Sequence, residues 1–259
     1  MSLRNILHIA LSLLVLSGCA TTTVPLGTTP EALFQEGDSL YARKRYEDAI
    51  VRWKKLKEST TAPELVAQAD LKIADALFAN KNFIEAAAAY EDFRKLHPNH
   101  EQIPFALYRL GLCYYQEITG IDTEQTPVKN AVAMFETFLR QYPSSEFAPE
   151  VREKLEDCRT KQLQYEIYVG RFYFRTGKYQ AAINRLEEAL ARFPKATIND
   201  ETLFYLGQAY FGRGEKNRGE ETFTRLFNEF PSSTHVPEAR KILKKTDSLP
   251  RGFWGSLFG

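Results

Sequence analysis

A small residue returns on a fixed period along this chain, and that period limits what the chain can fold into more than any other feature. Gly37, Ala74, Gly111, Gly170 and Gly207 each stand three residues before Leu40, Leu77, Tyr114, Tyr173 and Tyr210, with spacings of 37, 37, 59 and 37. Twelve residues past four of these anchors comes another small residue: Ala49, Ala86, Ala182 and Gly219. Sixteen past come the large residues Trp53, Tyr90, Leu186 and Phe223. Twenty-four past the second, fourth and fifth anchors comes Pro98, Pro194 or Pro231. A period of this length holds two helices and two turns. Small residues let the helices cross closely, a large residue fills the crossing, and proline stops the second helix.

This pattern resembles the tetratricopeptide repeat, in which each antiparallel helix pair buries its apolar face only by stacking on its neighbours. The third repeat departs from the period in two places. Ala131 lies 20 rather than 12 residues past Gly111, so eight residues enter between its helices around Thr119-Gly120-Ile121-Asp122. Pro143 lies 27 before Gly170, where Pro98 and Pro194 lie 13 before their following anchors. Those fourteen added residues extend a helix by nearly four turns, ~21 Å. Val151, Leu155, Cys158, Gln162, Tyr165, Val169 and Phe172 step by alternating four and three, which predicts one buried seam along a helix of about 26 residues from Pro149 to Arg175. Beyond repeat five, Lys244 occupies the next anchor position, so the segment from Glu238 to Lys245 reads as a capping helix with a polar outer face. The expected fold is all-α: a tetratricopeptide-repeat solenoid of five repeats plus a C-terminal capping helix, with a long helix joining repeats 3 and 4. Repeats 1–3 span 31–148, the connecting helix 149–175, and repeats 4–5 with the cap 163–247.

The segment ahead of the repeats reads as an address. Arg4 is the only charge before Glu31, and Ile6 to Leu16 is almost wholly apolar, too short to remain as a spanning helix. It ends in Leu16-Ser17-Gly18-Cys19, which resembles the bacterial lipobox, where the cysteine is acylated and becomes the first residue. Residues 1–18 are then a signal peptide and Cys19 the lipid attachment site, carrying palmitate among its chains. Several chains, at ~0.8 kcal/mol per buried CH₂, anchor a protein stably. Ala20 in place of Asp implies the outer membrane, with residues 19–30 as a flexible tether and the folded part at the periplasmic face.

Composition removes other classes. With 34 basic against 33 acidic side chains, no basic field is available for nucleic acid. No Walker loop, His-Glu-x-x-His, Gly-x-Ser-x-Gly or Cys-x-x-Cys is present, so no catalytic residue, metal site or cofactor beyond the covalent lipid is expected. Gly212-x-Gly214 follows a helix rather than a strand and reads as a turn. His97 and His100 share an inter-repeat turn and read as solvated. Cys113 and Cys158 occupy equivalent positions on neighbouring helices. Axes ~8–10 Å apart are marginal for a Cα separation of ~4.4–6.8 Å, which favours two buried thiols over a disulfide.

The remaining signal is a surface. Four residues past the anchors stand Tyr41, Phe78, Tyr115, Phe174 and Phe211, and three before them Phe34, Leu71, Tyr108, Ile167 and Tyr205. These divide between packing and a semi-apolar trough for an extended peptide, and Phe34, Tyr41, Leu71, Phe78, Phe105, Tyr108, Leu112 and Tyr115 are the trough candidates. The tail, 248–259, places Phe253, Trp254, Leu257 and Phe258 after a basic run. It reads either as a membrane or partner contact or as a frayed end.

The lipobox, the five repeats and the long helix between the third and fourth together resemble the BamD family, lipoproteins of the outer-membrane β-barrel assembly machinery. The likeness is closest along Tyr165-Glu166-Ile167-Tyr168-Val169, Phe172-Tyr173, Gly177-Lys178-Tyr179 and Ala182-Ile183-Asn184-Arg185. It implies a non-enzymatic scaffold whose partners are the periplasmic domain of the barrel-forming subunit, unfolded barrel proteins and other assembly lipoproteins. It implies that Arg185, with Tyr179 and Phe174, meets the barrel-forming subunit, and that the amino-terminal repeats receive the precursors' carboxy-terminal signal. The alternative is a periplasmic adaptor resembling the repeat protein of the Tol-Pal division system, which shares turns such as Tyr142-Pro143-Ser144-Ser145 but has a coiled coil and no lipobox.

Overall fold

The computed structural model describes residues 29–247. Within them lie eleven helices and no strand: α1 Pro30–Ala42, α2 Tyr46–Ser59, α3 Pro63–Ala79, α4 Phe83–Leu96, α5 Ile103–Gln116, α6 Thr126–Gln141, α7 Ala148–Arg175, α8 Tyr179–Arg192, α9 Asn199–Arg213, α10 Lys216–Glu229 and α11 Val236–Asp247. No described helix is long and apolar enough to cross a membrane. The signal peptide, Cys19, most of the predicted tether and the aromatic tail lie outside the described residues. The described part starts with Thr29, whose hydroxyl caps α1 by accepting from the Ala32 amide at 3.2 Å, with Pro30 in the first turn.

The chain divides into two compact units, one up to Lys72 and one from Ile73 onward, and α3 runs from the first into the second. In the first unit α1 packs on α2. Gly37 leaves the space that the indole of Trp53 fills, and Leu33, Ala49, Trp53 and Leu56 are fully buried. Lys57 pairs with Asp70, and Lys72 with Asp38 at 3.0 Å.

The second unit repeats the same contact three times. A Cβ on Gly111 would come within 2.5 Å of Phe135, and one on Gly170 within 2.6 Å of Leu186; Gly207 faces Phe223 in the same way. Leu186 and Phe223 are the residues sixteen past their anchors, and Phe135 is that residue displaced by the eight-residue insertion. Ala74 and Tyr90 are fully buried at the corresponding places in α3 and α4. The period therefore reports the crossing points of the helix pairs.

The turns between pairs share one geometry. His97, Tyr142, Phe193 and Phe230 each precede a proline and end their helix at φ −126 to −134° and ψ 54 to 60°. Proline disfavours the α region for the residue before it, so the sequence itself terminates the helix. Each of these residues donates its amide four residues back, to Phe93, Phe138, Ala189 or Leu226. Its carbonyl then accepts from the residue three ahead, and a second such turn leads into the next helix.

The helix α7 is 28 residues long and has the expected extent, but the seam along it does not. Val151, Leu155 and Cys158 are buried as predicted, against the cluster built on Leu107, Phe135 and Phe138. Burial then passes to Leu163, Glu166, Ile167 and Gly170. Gln162, Tyr165 and Val169 are only half-buried, and Phe172 is 49% exposed, as is Tyr168 at 42%. The first half of α7 packs on the third pair. The second half is the first helix of the fourth pair and packs on α8 and α9, so a different face turns inward. The capping helix α11 closes the unit by laying Ala239, Ile242 and Leu243 over Leu203, Phe211 and Phe223, with Lys244 exposed at the anchor position.

Candidate functional site

Arg185 lies on α8 one turn beyond the buried Ala182, at the edge of the helix rather than on its buried stripe. Its guanidinium pairs with Glu166 of α7, a carboxylate that is almost fully enclosed. Arg192, two turns further along α8, reaches the same carboxylate and donates to Oε1 at 3.1 Å. The Arg185 guanidinium also lies 5.7 Å from the Tyr165 ring centroid. One buried carboxylate thus carries two arginines and fixes both heads, and the exposed Glu188, 3.9 Å from Arg192, is a second carboxylate beside them. Removing a partner from such a group strands a buried charge, so the cluster is held as a unit. Arg185 and Arg192 border a hollow of about 440 Å³, and its opposite wall is the inserted loop, Thr123 to Gln125.

Phe174 and Tyr179, grouped with Arg185 from the sequence, have different surroundings. Their rings lie 5.8 Å apart, Phe174 lies 6.3 Å from Tyr205, and Tyr179 covers Gly212 on α9. Both pack the fourth pair on the fifth, and the structure does not bring Arg185 into that group. The pairing of Arg185 and Arg192 with Glu166 is not among the sequence expectations. The available signal was an acidic residue at a position flanked by Leu163, Ile167 and Gly170, all buried.

The trough candidates fall in both units. Phe34 and Tyr41 are half-buried in the first unit, Phe34 beneath Lys72 and Tyr41 between Tyr46 and Trp53, and Leu71 is half-buried there too. In the second unit Tyr108 and Leu112 are core residues, 8% and 7% exposed, with Tyr108 stacked on Phe147 at 4.8 Å. Phe78 and Phe105 flank Arg109, whose guanidinium lies 3.8 Å from the first ring centroid and 5.6 Å from the second. Arg109 donates from Nε to the Tyr90 hydroxyl at 3.1 Å, and Tyr90 donates to Asp75. Burial, reinforced by Asp75, raises the Tyr90 phenol well above its ordinary range, so it stays a donor. Tyr115 donates to Asp157 at 2.7 Å, and burial together with that bond pushes its phenol up to about 12.

Cys113 and Cys158 are buried and unbridged, each pushed up to about 12 chiefly by burial. A thiol held protonated this firmly is a poor nucleophile. His97 and His100 are not simply solvated: both lie against the Phe93 ring at 5.2 Å, and His100 accepts the Gln102 amide at Nδ1. Gly212 sits inside α9 beneath Tyr179, and only Gly214 serves as a turn residue, at φ 84°.

Comparison with known proteins follows the same span of chain. The outer membrane protein assembly factor BamD of Rickettsia prowazekii is 27% identical over 237 residues, covering 89% of this chain and 93% of its own length. That of Caulobacter vibrioides is 23% identical over 220 residues, covering 85% and 72%. Among solved structures, the TPR2AB-domain:pHSP90 complex of yeast Sti1 superposes with a TM-score of 0.44 at 13% identity, covering 85% of this chain and 86% of that one. The family model YfiO, described as outer membrane lipoprotein, matches residues 27–226. The chain belongs to the YfiO family of outer membrane lipoproteins.

Proposed function

We propose that this protein is a scaffold of the β-barrel assembly machinery, binding barrel precursors and the barrel-forming subunit to promote insertion of outer-membrane proteins. The observation that carries the reading is family membership across 200 residues, residues 27–226, joined to relatives that bear the name of outer membrane protein assembly factor. Stacked helix pairs supply what a scaffold needs, a rigid surface built from repeated crossings rather than a reactive centre. The Tol-Pal adaptor reading is not favoured, since these relatives carry the assembly-factor name.

In this reading the protein is not an enzyme and takes no cofactor. Cys19 carries the lipid, including palmitate, that holds it at the periplasmic face of the outer membrane. The periplasmic domain of the barrel-forming subunit docks through Arg185, whose geometry Glu166 sets, and through Phe174 and Tyr179 as a separate group where the fourth pair packs on the fifth. Unfolded precursors meet the half-buried rings and side chains of each unit by itself: Phe34, Tyr41 and Leu71 in the first, and Phe78, Phe105 and Tyr115 in the second, where Tyr108 and Leu112 lend support from the core. Other assembly lipoproteins complete the complex.

Depletion in a host that depends on the protein tests the reading. Several unrelated outer-membrane barrels should decline together, and intact barrel levels with a division defect would transfer the protein to the other class. At residue level, Arg185→Ala should weaken capture of the barrel-forming subunit but also strips a partner from the buried Glu166. Arg185→Lys, which keeps that charge and loses the planar fork, should weaken capture with the smaller change in thermal stability. Undiminished capture would remove Arg185 from the interface.

A further inference from the structure

The four turns that link one helix pair to the next share a backbone geometry, and that geometry puts corresponding side chains at corresponding places. Four residues past His97, Tyr142, Phe193 and Phe230 stand Glu101, Glu146, Thr197 and Thr234. The two turns that carry a carboxylate there are consecutive. Between them, within the second unit, lies a hollow of about 520 Å³ that Glu101 and Glu146 both border. Pro104, Phe105 and Phe147 give it an apolar floor, and the two phenylalanine rings lie 5.8 Å apart.

The charge in this hollow has one sign. Among the described residues no lysine, arginine or histidine lines it. Glu101 and Glu146 are exposed, and neither has an ion pair among the described residues. The cations nearby are engaged elsewhere. Arg109 lies 5.6 Å from the Phe105 ring centroid but pairs with Asp75 at 3.5 Å and donates to Tyr90. Arg152 donates to the Pro143 carbonyl at 3.1 Å and, with Arg140, borders a separate hollow. Glu150, in the first turn of α7, accepts from the Tyr108 hydroxyl, so a third carboxylate stands next to the ring stacked on Phe147. Like charges brought to equivalent places on successive turns repel until a counter-charge comes between them.

We propose that this hollow takes an arginine side chain from an extended segment of an unfolded barrel precursor. The guanidinium stands between Glu101 and Glu146, and its methylenes lie over Pro104 and Phe105. Arginine suits the place because its planar head donates to carboxylates on two sides and stacks on an aromatic ring. A barrel strand puts a polar side chain at every second residue, so an unfolded precursor offers such cations along its length. The inference rests on the reading that Phe105 meets precursors. It deepens that reading by making Glu101 and Glu146 the residues that select what is bound there.

The test uses the full mature chain and a fluorescent peptide alternating Arg with Val, beside the same peptide with citrulline, an uncharged mimic, for Arg. At low salt the Arg peptide should bind about tenfold tighter than the citrulline peptide, and added salt should narrow the gap. Glu101→Gln with Glu146→Gln should abolish that preference without altering the melting temperature, since both carboxylates are exposed. Glu85→Gln with Glu221→Gln removes the same charge from exposed positions elsewhere in the second unit and should leave the preference intact. Equal binding of the two peptides, no binding of either, or as large a loss from the Glu85 and Glu221 changes would overturn the proposal, and a decline of barrels on depletion would still uphold the assembly role. Intact barrels on depletion would overturn the reading beneath the proposal, and the charge preference of the peptides tells the two failures apart.

Discussion

In the third helix pair a Cβ on Gly111 would strike Phe135, and in the fourth a Cβ on Gly170 would strike Leu186, yet residues 117–125 join the first two helices and only 176–178 the second two. The crossing is the same and the connection is not. In the fourth pair Gly177, at φ 70°, turns the chain at once. In the third, the longer connection travels out and becomes the wall of the hollow beside Arg185 and Arg192. Crossing and connection are thus separable. Buried contacts near the anchors set the pair, and the chain between the helices is free to build a surface. Lengthening such a loop costs little entropy.

The largest test of that separation is to empty the crossing itself. Phe135→Ala should cost about 3–5 kcal/mol and Leu186→Ala about 2–5 kcal/mol, measured by chemical denaturation, because both side chains are fully buried against a glycine that cannot move in to fill the void. If Phe135→Ala costs far less than Leu186→Ala, the long connection has let the third pair relax, and crossing and connection are coupled after all.

The third pair should also respond to alkali. Burial lifts Tyr115 from 10.0 to about 12, and Cys113, like Cys158 on α7, from 9.0 to about 12. These groups hold their protons more tightly folded than unfolded, so their contribution is complete below about pH 9 and is lost as pH rises toward 12. The urea midpoint should fall between pH 9 and 12, and Tyr115→Phe should lessen the fall above pH 10. An unchanged pH profile in Tyr115→Phe would mean that this phenol titrates alike in both states.

Much of this arrangement was legible in the chain. The anchors, their partners sixteen residues on, the insertion and the proline-marked helix ends are local or periodic, and each has one steric cause. What was hidden depends on two helix faces at once. A seam through Gln162, Tyr165 and Phe172 fits the helical period as well as one through Leu163, Ile167 and Gly170. Only the change of packing partner along α7 decides between them. The sharing of Glu166 by Arg185 and Arg192, and the separation of Arg185 from Phe174 and Tyr179, follow from that same choice.

The tight turns hold one more thing the sequence conceals, and it gives the smallest effect. Seven residues past the anchor the backbone is left-handed in four of the five pairs: Lys44 at φ 60°, Lys81 at 63°, Gly177 at 70° and Gly214 at 84°. Glycine advertises such a turn and lysine does not. A Cβ in this region costs roughly 1–2 kcal/mol, so Gly177→Ala should destabilise the chain by about 1 kcal/mol although nothing lies within 4 Å of the added atom. The reverse change, Lys81→Gly, removes that cost but gives the unfolded chain more freedom. Its gain should stay below about 1 kcal/mol. A loss of stability in Lys81→Gly would show that the lysine side chain holds its turn by contacts, and that the tight connections, like the long one, differ in what maintains them.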